Sequence, residues 1–360
     1  MSQDILERPS SKPEVAGRDP KLLERLESIY RRNREQEFQG TVDRLEALRQ
    51  EFRAEQDQLL SPDLRRSIQG SVVRGGDARG PGLRYQSLVK ARENGLDLVR
   101  LKGLYERIYG KFDDIVKSDR LFTVHENVVG SVADILERPP FILPDPDKEK
   151  TYFPPYAGSW DRLEQNMATG DGRVDENFSY LDGNMARLGS RLTARNRDPG
   201  DAELICAYRE GGYLVPFKTL KTGILQVKAD LTALICKHHV STYDEWGWSE
   251  FHATTRGRLI LAIFWNWEDN DPANEVSDSW FVGGLDCSGD GESYPGTTVQ
   301  ATPGERRIVN LYTDMAFPAG QDLWVYVGLS DRAYAFLNDV EINISIDSAW
   351  QLNSIGIRSL

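Results

Sequence analysis

The chain has 360 residues, of which 28% are charged and 39% hydrophobic, and a formal net charge of -12. That acidic balance excludes a general nucleic-acid binder, whose contact face needs an excess of Lys and Arg, and the length favours two domains over one. Three cysteines, Cys206, Cys236 and Cys287, show no CxxC spacing and exclude both a disulfide framework and a zinc ribbon.

The first residues, Met1-Ser2-Gln3-Asp4, lack the basic and apolar stretches of a signal peptide. With Pro9, Pro13 and Pro20 among polar neighbours, residues 1–20 read as a disordered or loosely docked arm. A helical pattern follows. Leu23, Leu26, Tyr30, Phe38, Val42, Leu45, Leu48 and Phe52 form one apolar stripe at three- and four-residue spacing, with Arg, Glu and Gln on the other faces. The glycines of residues 75–82 and Pro81 favour a turn over a continued helix. Leu98, Leu101, Leu104, Tyr105, Ile108, Phe112 and Ile115 mark a second amphipathic helix, and Val128 to Leu136 a third, shorter one. Residues 21–137 are therefore expected to form a helical hairpin or bundle, coiled-coil-like, that must dock on the rest of the chain or on other copies.

Prolines from Pro139 to Pro155 make residues 138–160 an extended, semi-rigid linker. All eight tryptophans lie at or beyond Trp160, which sets a different kind of core on that side. Residues 161–200 carry turn signals at Asp171-Gly172 and Asp182-Gly183, with a short helix over 184–194 as the alternative to strands. Beyond residue 203 the period becomes two. Leu225 to Ile235 and Val340 to Ile346 alternate apolar with polar, while Leu259 to Trp265 is apolar on both faces and belongs in a sheet centre. Further strands are expected near 204–209, 212–219, 246–255, 279–285, 297–302, 307–313 and 322–329. The fold class is α+β: N-terminal helices, then an antiparallel β-sandwich of jelly-roll type over 161–360.

Two candidate sites stand out. In the loop from Asp286 to Glu292, oxygen-bearing Asp286, Ser288, Asp290 and Glu292 recur at every second position around glycines, as in the first half of a calcium loop. The twelfth position is Thr297 instead of a bidentate Glu, so an ordinary polar loop is the plainer reading. Trp246/Trp248 and Trp265/Trp267, each two apart, form ridges on one strand face that suit a sugar or a partner if exposed, and core packing if not. Cys236 and His238 share a strand face, but no third metal ligand is evident. No nucleophile elbow, phosphate-binding loop or zinc-protease helix occurs.

The expectation is a non-enzymatic structural or interaction protein that self-associates through its helices as a homo-oligomer and presents a β-sandwich. A calcium-assisted or carbohydrate-binding module is the alternative, and a pore-former a third. No cofactor is expected beyond that calcium. The partner is another copy, another protein or a glycan; the location is cytoplasmic, and a membrane is not expected.

Overall fold

The structure, a computed structural model, describes residues 20–73, 81–119, 149–156, 158–196, 202–244, 248–265, 275–289, 294–300 and 302–360. Of the expected arm over 1–20, residues 1–19 lie outside these residues and Pro20 already belongs to a helix; the expected helix over 128–136 also lies outside them.

Among the described residues four helices come first: α1 (Pro20–Leu59), α2 (Pro62–Val73), α3 (Pro81–Glu93) and α4 (Leu98–Ser118). Proline opens three of them, at the one helical position where its missing N–H costs nothing. Before α2, Ser61 Oγ accepts the Leu64 N–H at 3.2 Å, and before α4 Asp97 accepts the Arg100 N–H at 3.0 Å. These side-chain caps fix where each helix starts. Gly40 leaves α1 uninterrupted, and the expected stripe is buried from Leu26 to Phe52. Ion pairs Glu55–Arg107 (2.5 Å) and Glu51–Lys111 (2.6 Å) run in opposite chain order, so α1 and α4 are antiparallel.

Twelve described strands follow: β1 (Glu149–Tyr152), β2 (Gly158–Ala168), β3 (Arg173–Asp182), β4 (Arg187–Asn196), β5 (Glu203–Lys218), β6 (Gly223–Asp244), β7 (Glu250–Phe264), β8 (Glu275–Gly289), β9 (Tyr294–Gln300), β10 (Arg306–Phe317), β11 (Asp322–Asn338) and β12 (Val340–Ser359). They form two antiparallel sheets. One has five strands in the order β2-β5-β11-β7-β8; the other has seven, with β10-β6-β12-β4-β3 in line, β1 pairing β12 and β9 pairing β6. The stretch expected as a linker holds β1 and the start of β2, with Pro154 and Pro155 between the strands, where no ladder donor is required. The two strands expected on either side of residue 210 are one continuous β5, and the helix offered as an alternative over 184–194 is absent: a turn through Ala186 leads into β4.

The five-stranded sheet is covered on both faces. On its central strand β11, even-numbered Trp324, Tyr326, Tyr334 and Phe336 pack with the helices. Odd-numbered Leu323, Val325, Val327 and Leu329, then Ala333, Ala335 and Leu337, face the other sheet. Tyr30 meets Tyr326, Phe38 meets Tyr334, Phe52 meets Phe336, and Gln56 bonds Asn338. The helix therefore runs along β11.

Buried polar ties join the helices to this sheet. Tyr30 Oη donates to Glu210 Oε1 at 2.5 Å, Arg34 pairs with Glu275 at 3.2 Å, and Tyr105 Oη donates to the Trp248 carbonyl at 2.7 Å. Arg332, fully buried, donates to Asp119 just beyond α4, and its guanidinium lies 4.4 Å over the Tyr208 ring. At the corner between β11 and β12, Asp339 takes a left-handed backbone (φ 55°). Its carboxylate accepts the Trp248 Nε1–H at 3.0 Å and pairs with Arg65 of α2 at 3.2 Å.

Inside the sandwich the apolar core is divided in two by a polar cross-section. In the five-stranded sheet, Arg209, Asp331, Gly257 and Gly283 lie side by side on adjacent strands. Opposite them, Ser179, Ser190, Ser348 and Cys236 do the same in the seven-stranded sheet. Arg209 spans the gap to Ser179 Oγ at 2.6 Å.

Candidate binding face

The helices seal one outer face of the sandwich. The other, the outer face of the seven-stranded sheet, exposes side chains along β3, β4, β12 and β6. Its character at the β3–β4 end comes from an inversion on β3. Asn177 and Ser179 point inward, tied to the Tyr208 carbonyl (3.1 Å) and to Arg209. The alternation of a strand then turns Phe178 and Tyr180 outward. They are 42% and 38% exposed, with ring centroids 6.5 Å apart.

Tyr180 is set in place by its cross-strand neighbour Gly189. A Cβ at Gly189 would meet ring atoms Cε2 and Cζ at 2.0 Å, so the ring covers the bare glycine and rests on the sheet. Partial burial raises the Tyr180 pKa, and Asp347 and Asp331 add to the rise while Arg187 and Arg191 oppose it. The hydroxyl stays protonated and can donate. Around the ring lie Arg187 and Arg191 of β4 and Asp347 of β12, which is Arg191's cross-strand partner. Arg191 also pairs with Glu176 at 3.2 Å. The following turn carries Met185, 43% exposed, whose carbonyl accepts from Gln351. The arrangement joins an apolar shelf to fixed donors and acceptors, the chemistry that orients a polar ligand with an apolar face.

The residues singled out from sequence lie elsewhere. Trp248 is 2% exposed in the helix–sheet layer and Trp265 is 6% exposed inside the sandwich, edge-on to Phe317 at 5.2 Å. Trp246, Trp267, Asp290 and Glu292 lie outside the described residues. Asp286 and Ser288 are on strand β8, not in a loop. Asp286 pairs with Arg256 and accepts the Thr254 hydroxyl. Burial would raise its carboxyl, but those two donors outweigh it and hold the pKa below the ordinary carboxylate value. Among the described residues, no group of three or more His, Cys, Asp or Glu side chains is disposed to hold a metal ion. His238 is buried, its Nδ1 3.0 Å from Thr255 Oγ1.

Sequence reasoning missed the pair His252–Asp113, in which Nε2 lies 2.8 Å from the carboxylate. Phe112 and Tyr109 flank the imidazole at 5.0 and 5.3 Å. Burial lowers the His252 pKa against the pull of Asp113. It ties α4 to β7, as Tyr30 and Arg34 tie α1 to β5 and β8. No described helix is long and apolar enough to cross a membrane.

No family model matches the chain, and no curated protein matches it. Among solved structures, one of a CBM4 module is 14% identical, over 48% of this chain and 77% of that one, with a TM-score of 0.14. TmCBM61 in complex with β-1,4-galactotriose is 8% identical over 48% of this chain and 86% of that one, at 0.13. The mannan-recognising carbohydrate-binding module TmCBM27 is 12% identical over 56% and 98%, at 0.12. Likenesses at such TM-scores carry no argument about fold or ligand.

Proposed function

We propose that this chain is a non-enzymatic binding protein whose contact surface is the outer face of the seven-stranded sheet, and that its ligand is a carbohydrate chain. The observation that carries the reading is Tyr180, laid over Gly189 with Phe178 beside it and Arg187, Arg191 and Asp347 around it. A sugar ring offers one apolar face to an aromatic shelf and a rim of hydroxyls to paired donors and acceptors. Arginine and carboxylate groups match vicinal hydroxyls two at a time.

Self-association through the helices, the other expectation, loses the observation that prompted it. The apolar stripe of α1 is buried on the sheet of its own chain. Calorimetry against a panel of soluble polysaccharides tests the carbohydrate reading. Binding that is lost in Tyr180→Ala while the fold is retained supports it; no binding across the panel, or undiminished binding by the variant, rejects it.

A further inference from the structure

The polar cross-section of the sandwich has a use that ligand binding does not account for. Asp331 is fully buried between the two apolar clusters. Its Oδ1 receives one long contact, from Ser348 Oγ at 3.4 Å. Its Oδ2 is buried without a hydrogen-bond partner. The Ser190 hydroxyl stands beside it on β4. A methyl group at Gly257 would sit 2.8 Å from Asp331 Oδ1 and 3.2 Å from His238 Nε2, so carboxyl and imidazole flank the same bare backbone. That Nε2 is also buried without a partner.

The charges around this site leave an ionised Asp331 without a counter-ion. On β5, Arg209 is turned to Glu164 of β2 at 3.0 Å and to Ser179 of β3. On β7 the inward neighbours are Thr255 and Gly257, and on β8 Gly283. Arg256 of β7 pairs with Asp286, and Arg332 of β11 with Asp119. Asp347 of β12 adds negative potential. On β6, Cys236 donates to the Val282 carbonyl at 3.4 Å. Burial lowers His238 to about 4, with Arg256 adding to the shift, so it is neutral at physiological pH.

We propose that this cross-section is a proton-dependent clasp between the two sheets, closed when Asp331 carries a proton and loosened when it is ionised. A neutral carboxyl is both donor and acceptor, and so suits two hydroxyls and an imidazole nitrogen in an apolar surround. An unpaired carboxylate there bears the cost of desolvation. Burial raises Asp331 from 3.8 to about 7, with Asp347 adding and the serine hydroxyls opposing. Because the folded value lies above the unfolded one, the group's contribution to stability is full below the unfolded value and is lost as pH rises through the folded value.

Thermal unfolding of the full chain between about pH 5 and about pH 8 tests the clasp. The wild type should lose several degrees of Tm across that interval. Asp331→Asn, a permanently neutral isostere, should remove most of the loss and exceed the wild type at the alkaline end. Parallel curves for the two proteins would overturn the proposal. A second measurement is independent of how the variant folds: the carboxyl 13C signals of Asp-labelled wild-type protein. One carboxyl titrating near neutrality supports the clasp, and titration of every aspartate below about pH 5 overturns it.

Discussion

The two outer faces of the sandwich are built from strands of similar length yet meet different surroundings, and the strand sequences record the difference. β11 is buried at every position after its first, because helices lie on one side and a sheet on the other. β12 alternates along most of its length, because no described element packs on the far side of its sheet. Apolar residues at both parities therefore mark a strand at the middle of three layers, and alternation marks one at the outside. The covered face is closed by specific polar ties as well as by apolar area. Glu210, Asp339 and Arg332 each take a partner from Tyr30, Arg65 and Asp119 respectively. Such pairs register the helices on the sheet, whereas an apolar contact alone would tolerate sliding.

If that contrast is right, substitutions should separate by face. The largest effect belongs to the covered face. Arg332→Ala leaves Asp119 buried without its cation and is expected to cost about 3–5 kcal/mol in chemical denaturation. Arg332→Met, which keeps the volume, leaves the same charge stranded and should recover little. Asp119→Asn combined with Arg332→Met should recover much of the loss. Next comes Phe52→Ala, which opens a cavity among Tyr105 and Phe336 and is expected to cost about 3 kcal/mol. Loss of the α4 cap in Asp97→Ala is smaller, about 1 kcal/mol. On the open face, Tyr180→Ala should change stability by no more than about 0.5 kcal/mol while abolishing any ligand binding there. Gly189→Val, which drives a side chain into the space under the Tyr180 ring, should weaken binding with the ring still present. A stability loss from Tyr180→Ala as large as that from Phe52→Ala would erase the distinction between the faces.

Much of this fold was legible in the chain. The stripe from Leu23 to Phe52 pointed to α1, and the unbroken apolar run from Leu259 to Trp265 pointed to β7, which lies between β11 and β8 and ends at Phe264. What the stripe packs on was not legible, since an amphipathic helix reads the same whether its cover is its own sheet or another copy. The strands β3 and β4 were obscured by the polar cross-section. Asn177, Ser179 and Ser190 occupy inward positions, and Phe178 and Tyr180 outward ones, so the usual alternation is inverted there. The same inversion hid the candidate binding face. Attention to tryptophan favoured Trp248 and Trp265, which are large enough to fill the core and do so. An aromatic pair two residues apart on a strand whose intervening residue is serine was the available signal. It becomes informative only once the inward face of that strand is known to be polar.

The central claim is that the helical layer closes over the sheet of its own chain. Arg34 of α1 and Glu275 of β8 are in contact at 3.2 Å and only partly buried, and the three native cysteines are buried. The decisive measurement uses the full chain carrying Arg34→Cys and Glu275→Cys, prepared with light and with heavy nitrogen, co-refolded as an equal mixture and treated with a short bis-thiol cross-linker. Mass spectrometry of the joined peptides should find only light–light and heavy–heavy pairs. Mixed light–heavy pairs in abundance would mean that the helices cover a neighbour's sheet, and would contradict the account.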